Sequence, residues 1–478
     1  MSTTPPRPNI LLITTDQQRY DALGINGNTI LQTPNLDHLA SRGTNFSRAY
    51  STCPVCIPAR RSLISGLHPA THGLGRYHDG QAFDPPCTLP GLLSDAGYQT
   101  QLIGKLHLHP QGKRYGYDNM ILSETSNWRP DSATQKRNDY VDFLRAHGVD
   151  THPNLHGING NGRLARPHHL DETLHQSSWL GQMADDFLTR KRDPSCPWFL
   201  HLSFFHPHPP LTPPLTYWQR YCDRTDLQPS IGDWAPTGTP PPGLAPDSAT
   251  GPFAPEQIRL AIAGYYALIQ HIDDTIAYVL ERYCEYGTSR AAEPLWIIFS
   301  SDHGEMLGDH HLFRKSLPYE ASAHIPLFIS GRNVDAQPGP CDALACWEDL
   351  MPTILDLAGV ETPAGLDGMS LAPAVRGEPL QPRQHLFGEC GGPLANHWIV
   401  DGPLKYAWFP RTNEEQLFDL ENDPQETRDL SEQTDRLEPL RRQLEAHLAD
   451  RDDYRYDRAA LRPCRNRPPE AIWAGKLA

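Results

Sequence analysis

Apolar and polar positions set out an alternation of two patterns along the chain. Residues 9–15 (NILLITT) are a short apolar run ending in Asp16-Gln17, which predicts a strand buried on both faces with polar side chains at its C-terminal end. Residues 295–299 (LWIIF) repeat the pattern and end in Ser300-Ser301-Asp302-His303. Segments 100–103 and 198–205 also read as strands. Between them, residues 35–43 (NLDHLASRG) predict a helix with Leu36 and Leu39 on one face and Gly43 as its stop. Residues 255–286 predict a long helix, because Ile258, Ile262, Tyr266, Ile269, Ile272, Ile276 and Val279 recur every three or four positions. Strands alternating with helices point to an α/β fold whose ligands gather at the carboxyl ends of the strands.

The alternation is broken twice. The stretch 229–255 (PSIGDWAPTGTPPPGLAPDSATGPFAP) is too rich in proline for regular structure. Because elements of the same α/β pattern flank it, it reads as a surface excursion within one domain. After about residue 379 the pattern becomes short strands (HWIVDG, LKYAWF, EQLFDL) followed by a helix carrying Leu437, Leu440, Leu444 and Leu448. This divides the chain into a large domain over 1–378 and a smaller α+β subdomain over 379–478. From about Tyr456 the chain is rich in Arg and Pro, and that stretch is expected to wrap a neighbouring subunit or surface. A homo-oligomer is the corresponding expectation.

Length and charge narrow the function classes. A chain of 478 residues buries roughly 75% of its extendable surface, so its core needs no disulfide support. The net charge of -15 argues against a nucleic-acid or anionic-membrane partner, since both demand a basic face. No apolar run approaches the ~18 residues of a spanning helix, and no basic-then-apolar leader opens the chain, so the expected location is the cytoplasm. Ten Cys are ordinary usage. Cys53 and Cys56 are the only Cys-x-x-Cys pair; without a thioredoxin-like setting Cys53 reads as a packed thiol.

Chemistry concentrates in Cys56-Ile57-Pro58-Ala59-Arg60-Arg61-Ser62-Leu63-Ile64-Ser65-Gly66. This segment resembles the sulfatase signature C-x-P-x-R, in which the Cys is oxidised after translation to Cα-formylglycine. Four further segments are similar to motifs of the same family, in the same order. They are Asp16-Gln17, Gly104-Lys105-Leu106-His107, Pro207-His208-Pro209-Pro210, and Ser301-Asp302-His303-Gly304-Glu305 with downstream Lys315. Near the end, Leu417-Phe418-Asp419-Leu420-Glu421-Asn422-Asp423-Pro424 is similar to a segment of the family's small sheet. The resemblance implies an alkaline-phosphatase-like fold with a mixed, mostly parallel sheet. It implies a sulfuric ester hydrolase acting on a small sulfated substrate, matured by a formylglycine-generating enzyme. Asp16, Gln17, Asp302 and His303, with residue 56, would hold a divalent cation that binds a sulfate oxygen. Arg60, Lys105 and Lys315 would add positive charge. His208 becomes the candidate acid for the leaving alcohol and His107 the candidate base for breakdown of the sulfated intermediate, with the division between the two left open. His201, His206, His310 and His311 read as structural, and His109 as intermediate.

Three positions depart from the family pattern. An Asp-Gln and Asp-His set replaces Asp-Asp and Asp-Asn, putting one nitrogen among the oxygens and making Mn²⁺ the alternative to Ca²⁺. The variant resembles choline-sulfatase-like enzymes and phosphonate monoester hydrolases, so phosphonate or phosphodiester cleavage is the second reading. A catalytically silent scaffold with an unmodified Cys56 is the third. His324, where Arg is common, and Arg76-Tyr77-His78, where many relatives place Asn, are expected near the substrate.

Overall fold

The computed structural model describes residues 7–124, 138–149, 158–285, 293–449, 456–457 and 462–463. Most of the Arg/Pro-rich tail lies outside the described residues. The strands are β1 (Asn9–Asp16), β2 (Thr44–Phe46), β3 (Ala49–Tyr50), β4 (Gln99–Gly104), β5 (Asn119–Leu122), β6 (Trp198–Pro207) and β7 (Leu295–Ser301). They continue with β8 (Leu327–Arg332), β9 (Gly339–Cys341), β10 (Ala345–Cys346), β11 (His385–Cys390), β12 (Asn396–Asp401), β13 (Leu404–Phe409) and β14 (Glu414–Asp419).

One 8-stranded sheet has the order β5-β4-β6-β1-β7-β8-β2-β9. Strands β5, β4, β6, β1 and β7 are parallel, and β8 is antiparallel to both β7 and β2. The sheet is therefore mixed and mostly parallel. β1 occupies its middle because its side chains are apolar on both faces. Ile10 and Leu12 pack with Leu63 and Ile64 of the helix Cys56–Ser65 and with Met351 and Ile354 of the helix Leu350–Leu357. Leu11 and Ile13 pack on the other face with Trp179 of the helix Gln176–Asp186 and with Ile272 and Ile276 of the helix Pro255–Glu285. Each such side chain contributes about 1.5–3 kcal/mol by leaving water.

The helix expected at 35–43 is Pro34–Ser41, with Pro34 in its first turn and Leu36 buried. Gly43 does not stop it through a left-handed turn. A Cβ there would lie 2.2 Å from the Ile329 carbonyl oxygen, so Gly43 serves the close approach of β2 to β8. The proline-rich 229–255 stretch contains no helix or strand before Pro255, only a bridge from Thr250 to Leu312. It is a strap fastened by backbone bonds from His310 N to Ser230 O (2.7 Å) and from Asp233 N to Thr427 O (2.8 Å).

The C-terminal subdomain is an antiparallel sheet in the order β11-β12-β13-β14. Its helix, Thr434–Leu448, lays Leu437, Leu440, Leu444 and Leu448 on Ile399, Tyr406, Trp408 and Leu417. β11 was not among the strands that the sequence pattern singled out, since HLFGEC is short and interrupted by glycine. The opposite face, through Trp398, Val400 and Ala407, packs on Tyr50 and Ala323 of the large domain. Lys405, fully buried, reaches across to Glu320 (2.5 Å) and also pairs with Glu426 (2.9 Å).

Candidate active site

Parallel strands bring the predicted motifs to one edge. β1 ends at Asp16, β4 at Gly104, β6 at Pro207 and β7 at Ser301, so the residues that follow each strand meet beyond the same carboxyl edge. Gly104 is required there: its φ is +113°, and a Cβ would lie 1.9 Å from the Ser203 carbonyl oxygen. Lys105 is turned inward as a result, its N–H bonded to that same oxygen at 2.9 Å.

Cys56 is supplied from the opposite direction as the first residue of the helix Cys56–Ser65, all of which is buried. A helix N-terminus favours negative charge on its first residues. The Cys56 Sγ lies 3.1 Å from Lys315 Nζ, 3.2 Å from His303 Nε2 and 3.7 Å from Asp16 Oδ1. Burial by itself would raise the Cys56 thiol; Lys105, Lys315 and His303, with a hydrogen bond from His107, outweigh it and hold the thiol well below its ordinary value. A nucleophile or its oxidised successor at this position sits among cations.

Asp16, Cys56, Asp302 and His303 place one ligand atom each within 4.8 Å of one another, all buried. His303 Nδ1 bonds to the Gly304 carbonyl oxygen at 2.9 Å, so Nδ1 carries a proton and Nε2 is the ring atom turned toward the cluster. Burial acts downward on this ring, but Asp302 and Cys56 push it up, and a bound cation would take the place of an Nε2 proton. Burial and the neighbouring Asp16 charge push Asp302 up. For Asp16, burial and Cys56 act upward, but Lys105, His208 and Lys315 hold it below the usual carboxylate range. Two facing carboxylates and a ring nitrogen turned toward them fit a divalent cation, which would relieve the carboxylates' mutual repulsion. Gln17 joins through its N–H, bonded to Asp302 Oδ1 at 3.1 Å, and its Oε1 accepts from Lys315 Nζ at 2.6 Å.

Arg60 enters from beneath. Its Nε donates to Asp302 Oδ2 (3.0 Å), its Nη1 to Lys105 O (2.9 Å) and Ser203 Oγ (3.0 Å), and its Nη2 lies 3.5 Å from Asp16 Oδ2. Its role is to brace the two carboxylates more than to present a free charge to an anion. Lys105 Nζ pairs with Asp16 and lies over the Phe205 ring at 5.1 Å. His208 N bonds to Asp16 O (3.1 Å), and its Nδ1 to Pro209 O (2.7 Å). Burial and Lys315 push His208 down to about 4. The ring is therefore neutral near pH 7 in this state, with its proton on Nδ1 and Nε2 an acceptor.

His107 has a left-handed backbone (φ +56°). Glu124 holds it there, accepting from the N–H groups of Leu106 and His107 at 3.1 Å each. Glu124 is a residue the motifs did not flag: it lies just past β5, in no recognisable spacing with Lys105 or His107. Glu305 is another. It lies within the Asp302-His303 segment, and its carboxylate accepts from Gln17 Nε2, Leu307 N and Arg314 N.

Of the two departures expected near the substrate, one is there. Tyr77 is 55% exposed and meets His107 edge to face, with ring centroids 6.2 Å apart. His324 is not. It is sandwiched between Tyr20 (3.8 Å) and Tyr50 (4.9 Å) and bonded to Glu320 Oε2 (2.6 Å). It lines a cavity of about 870 Å³ that none of Cys56, Lys105, His107, His208 or Lys315 borders. The family pattern, with Arg common at this position, predicts a place near the substrate, but the helix Glu320–Ala323 carries the chain away toward the small subdomain. His201 bridges Thr14 Oγ1 (2.9 Å) and Tyr117 OH (2.8 Å), and His310 packs at a tilt against Trp234, with ring centroids 4.5 Å apart. His206 contacts Ser177 Oγ at 3.3 Å, and His109 holds Phe83 N through its carbonyl. Cys53 is buried with Val55 and Cys390.

Comparison with known proteins agrees with this geometry. The sulfatase family matches residues 8–360, and the N-sulphoglucosamine sulphohydrolase C-terminal family matches residues 308–453. An arylsulfatase of Clostridium perfringens is 37% identical over 94% of this chain and 95% of its own length. A choline-sulfatase of Rhizobium meliloti is 30% identical over 90% of this chain and 83% of its own. In fold, the chain is similar to the phosphonate monoester hydrolase of Agrobacterium radiobacter, with a TM-score of 0.74 at 23% identity, covering 97% of this chain and 100% of that one. With the motif residues gathered at one sheet edge and the match spanning most of its length, the chain belongs to the sulfatase family and is a sulfuric ester hydrolase.

Proposed function

We propose that a formylglycine-generating enzyme converts Cys56 to Cα-formylglycine, and that the site then hydrolyses small sulfate monoesters with a ring-bearing leaving group, an aryl sulfate or a sulfated sugar. The observation that carries the reading is the Cys56 side chain held 3.1 Å from Lys315 and 3.2 Å from His303, in the cluster that would bind a cation. Oxidised to the aldehyde and hydrated, residue 56 supplies one hydroxyl to attack sulfur and a second whose deprotonation expels sulfate and restores the aldehyde. Lys315 and Lys105 hold the equatorial sulfate oxygens and stabilise the charge that develops on them. His208 protonates the departing oxygen through Nε2. It must first take up a proton, which the negative charge of bound sulfate favours. His107 takes the proton from the second hydroxyl. Tyr77, at the rim beside His107, offers a flat face to a leaving ring.

Asp16, Gln17, Asp302 and His303 would hold the cation, which supplies Lewis-acid polarisation of a sulfate oxygen. Ca²⁺ suits the three oxygen donors and Mn²⁺ is the alternative that the single nitrogen allows. The cytoplasm is the proposed location. Every described cysteine is a free thiol, as a reducing compartment favours, and no helix among the described residues is long and apolar enough to cross a membrane. The deciding experiment compares kcat/KM for an aryl sulfate and a phosphonate monoester, before and after chelation. Higher efficiency on sulfate, lost on chelation, supports the proposal; higher efficiency on the phosphonate transfers the function to phosphonate ester cleavage.

A further inference from the structure

Glu305 takes no part in the reaction described above, yet it is 1% exposed and its two oxygens have separate tasks. One, Oε2, accepts from Gln17 Nε2. The other, Oε1, accepts from Leu307 N (2.9 Å) and Arg314 N, at the two ends of the turn that returns the chain to Lys315. The Gln17 amide has two ends of opposite character, and this environment distinguishes them: a carboxylate on one side can only accept, and the Lys315 ammonium on the other can only donate. The Gln17 oxygen consequently faces Lys315 Nζ at 2.6 Å, on the side where Lys315 also approaches Cys56.

We propose that Glu305 is a positioning residue that fixes the oxygen end of Gln17 toward the cation while its second oxygen secures the turn that delivers Lys315. Metal-ligating groups are commonly oriented in this way by partners one shell out, and losing such a partner costs about 10- to 100-fold in metal affinity. The inference rests on the cation site proposed above. In Glu305→Gln the new carbonyl oxygen can still accept from Leu307 N and Arg314 N, so the turn is retained. Its amide nitrogen, however, would meet Gln17 Nε2 donor to donor. Gln17 then has to flip, turning a nitrogen toward both Lys315 and the cation. The compensating change is Gln17→Glu, which accepts from the new amide and again presents an oxygen.

The test is titration of Ca²⁺, and separately Mn²⁺, into the metal-stripped full-length protein by calorimetry, with thermal unfolding to verify folding. Four proteins are compared: wild type, Glu305→Gln, Gln17→Glu and the double variant. Glu305→Gln is expected to bind about 10- to 100-fold more weakly, and Gln17→Glu alone also more weakly, because two carboxylates then face each other. The double variant is expected within about twofold of wild type, a coupling well beyond the additivity expected of independent sites. A purely structural Glu305 would lower affinity through a loosened turn that Gln17→Glu does not repair, so a double variant as weak as Glu305→Gln overturns the proposal. Unchanged binding by Glu305→Gln overturns it too, while leaving the cation site standing. A wild type that binds neither ion overturns the cation site, and this inference with it.

Discussion

Two largely buried clusters of charge lie in this molecule, one at the carboxyl edge of the large sheet and one where the small subdomain meets the large domain. Around Lys405 the charges are matched within the protein. Burial pushes Glu426 up, whereas Glu320, although burial acts upward on it as well, is held below the usual range by Lys405 and His324. Lys405, Glu320, Glu426 and His324 thus pair among themselves. Around Cys56 the charges are also paired, Arg60 bracing Asp302 and Asp16 and Lys105 meeting Asp16, but the groups converge differently. Asp16, Cys56, Asp302 and His303 turn one ligand atom each into a space 4.8 Å across, and Lys315 leans over the Cys56 side chain. That convergence is what a cation on one side and an anion on the other can use. Burial and ion pairing alone do not distinguish function from structure; the convergence of donor atoms on one point does.

Substitutions can test this contrast. Lys405→Met leaves Glu320 and Glu426 buried without their cation, and is expected to destabilise by about 3–5 kcal/mol in urea unfolding, with KM of the folded fraction unchanged. An equal loss of substrate affinity would join the two clusters functionally. Lys315→Ala should do the converse, lowering kcat/KM on an aryl sulfate by roughly 10²–10³-fold with little change in the unfolding midpoint.

A third region sharpens the comparison because it gathers buried histidines against one another. His271 packs against His175 (4.7 Å) and Tyr217 (4.8 Å), and burial with the His168 charge pushes it down to about 3. The unfolded chain binds a proton near pH 6.5 that the folded chain refuses until about pH 3. Stability therefore falls as pH drops from 6.5 toward 3, by about 1.4 kcal/mol per unit for this one group. His271→Gln should remove that share of the slope in unfolding measured across pH 6.5–4.5; an unaltered slope would assign the acid sensitivity elsewhere. The smallest effect expected is at the rim. Tyr77→Ala should raise KM for an aryl sulfate about 2- to 12-fold, the range of one aromatic contact, and leave a short alkyl sulfate unaffected; equal losses on both would remove the ring platform.

Much of this was readable in the chain. The runs at β1 and β7, and the motifs ending each strand, specify both a sheet and the edge where chemistry collects, because parallel strands buried on both faces leave few other arrangements. The stripe of the long helix was equally plain. What escaped the sequence depends on geometry between distant residues. Short β8 and β9 have no periodicity long enough to read. Arg60 was assigned to the anion but braces Asp16 and Asp302 from below, a direction that C-x-P-x-R spacing does not contain. Glu124 and Glu305 act through backbone N–H groups of other segments, and such bonds leave no pattern of residue types. His324 was expected near the substrate from the family pattern at its position, and a single short helix turns it toward another cavity.

The most direct measurement follows residue 56 itself. Preparations made with graded amounts of a formylglycine-generating enzyme would be assayed for aryl sulfate hydrolysis, and the fraction of aldehyde in the peptide containing residue 56 would be read by mass spectrometry. The rate is expected to rise in proportion to that fraction and to vanish with a full thiol. Hydrolysis that persists at full strength with an unmodified Cys56, or that stays absent when conversion is complete, would contradict formylglycine-dependent sulfate ester hydrolysis at this site.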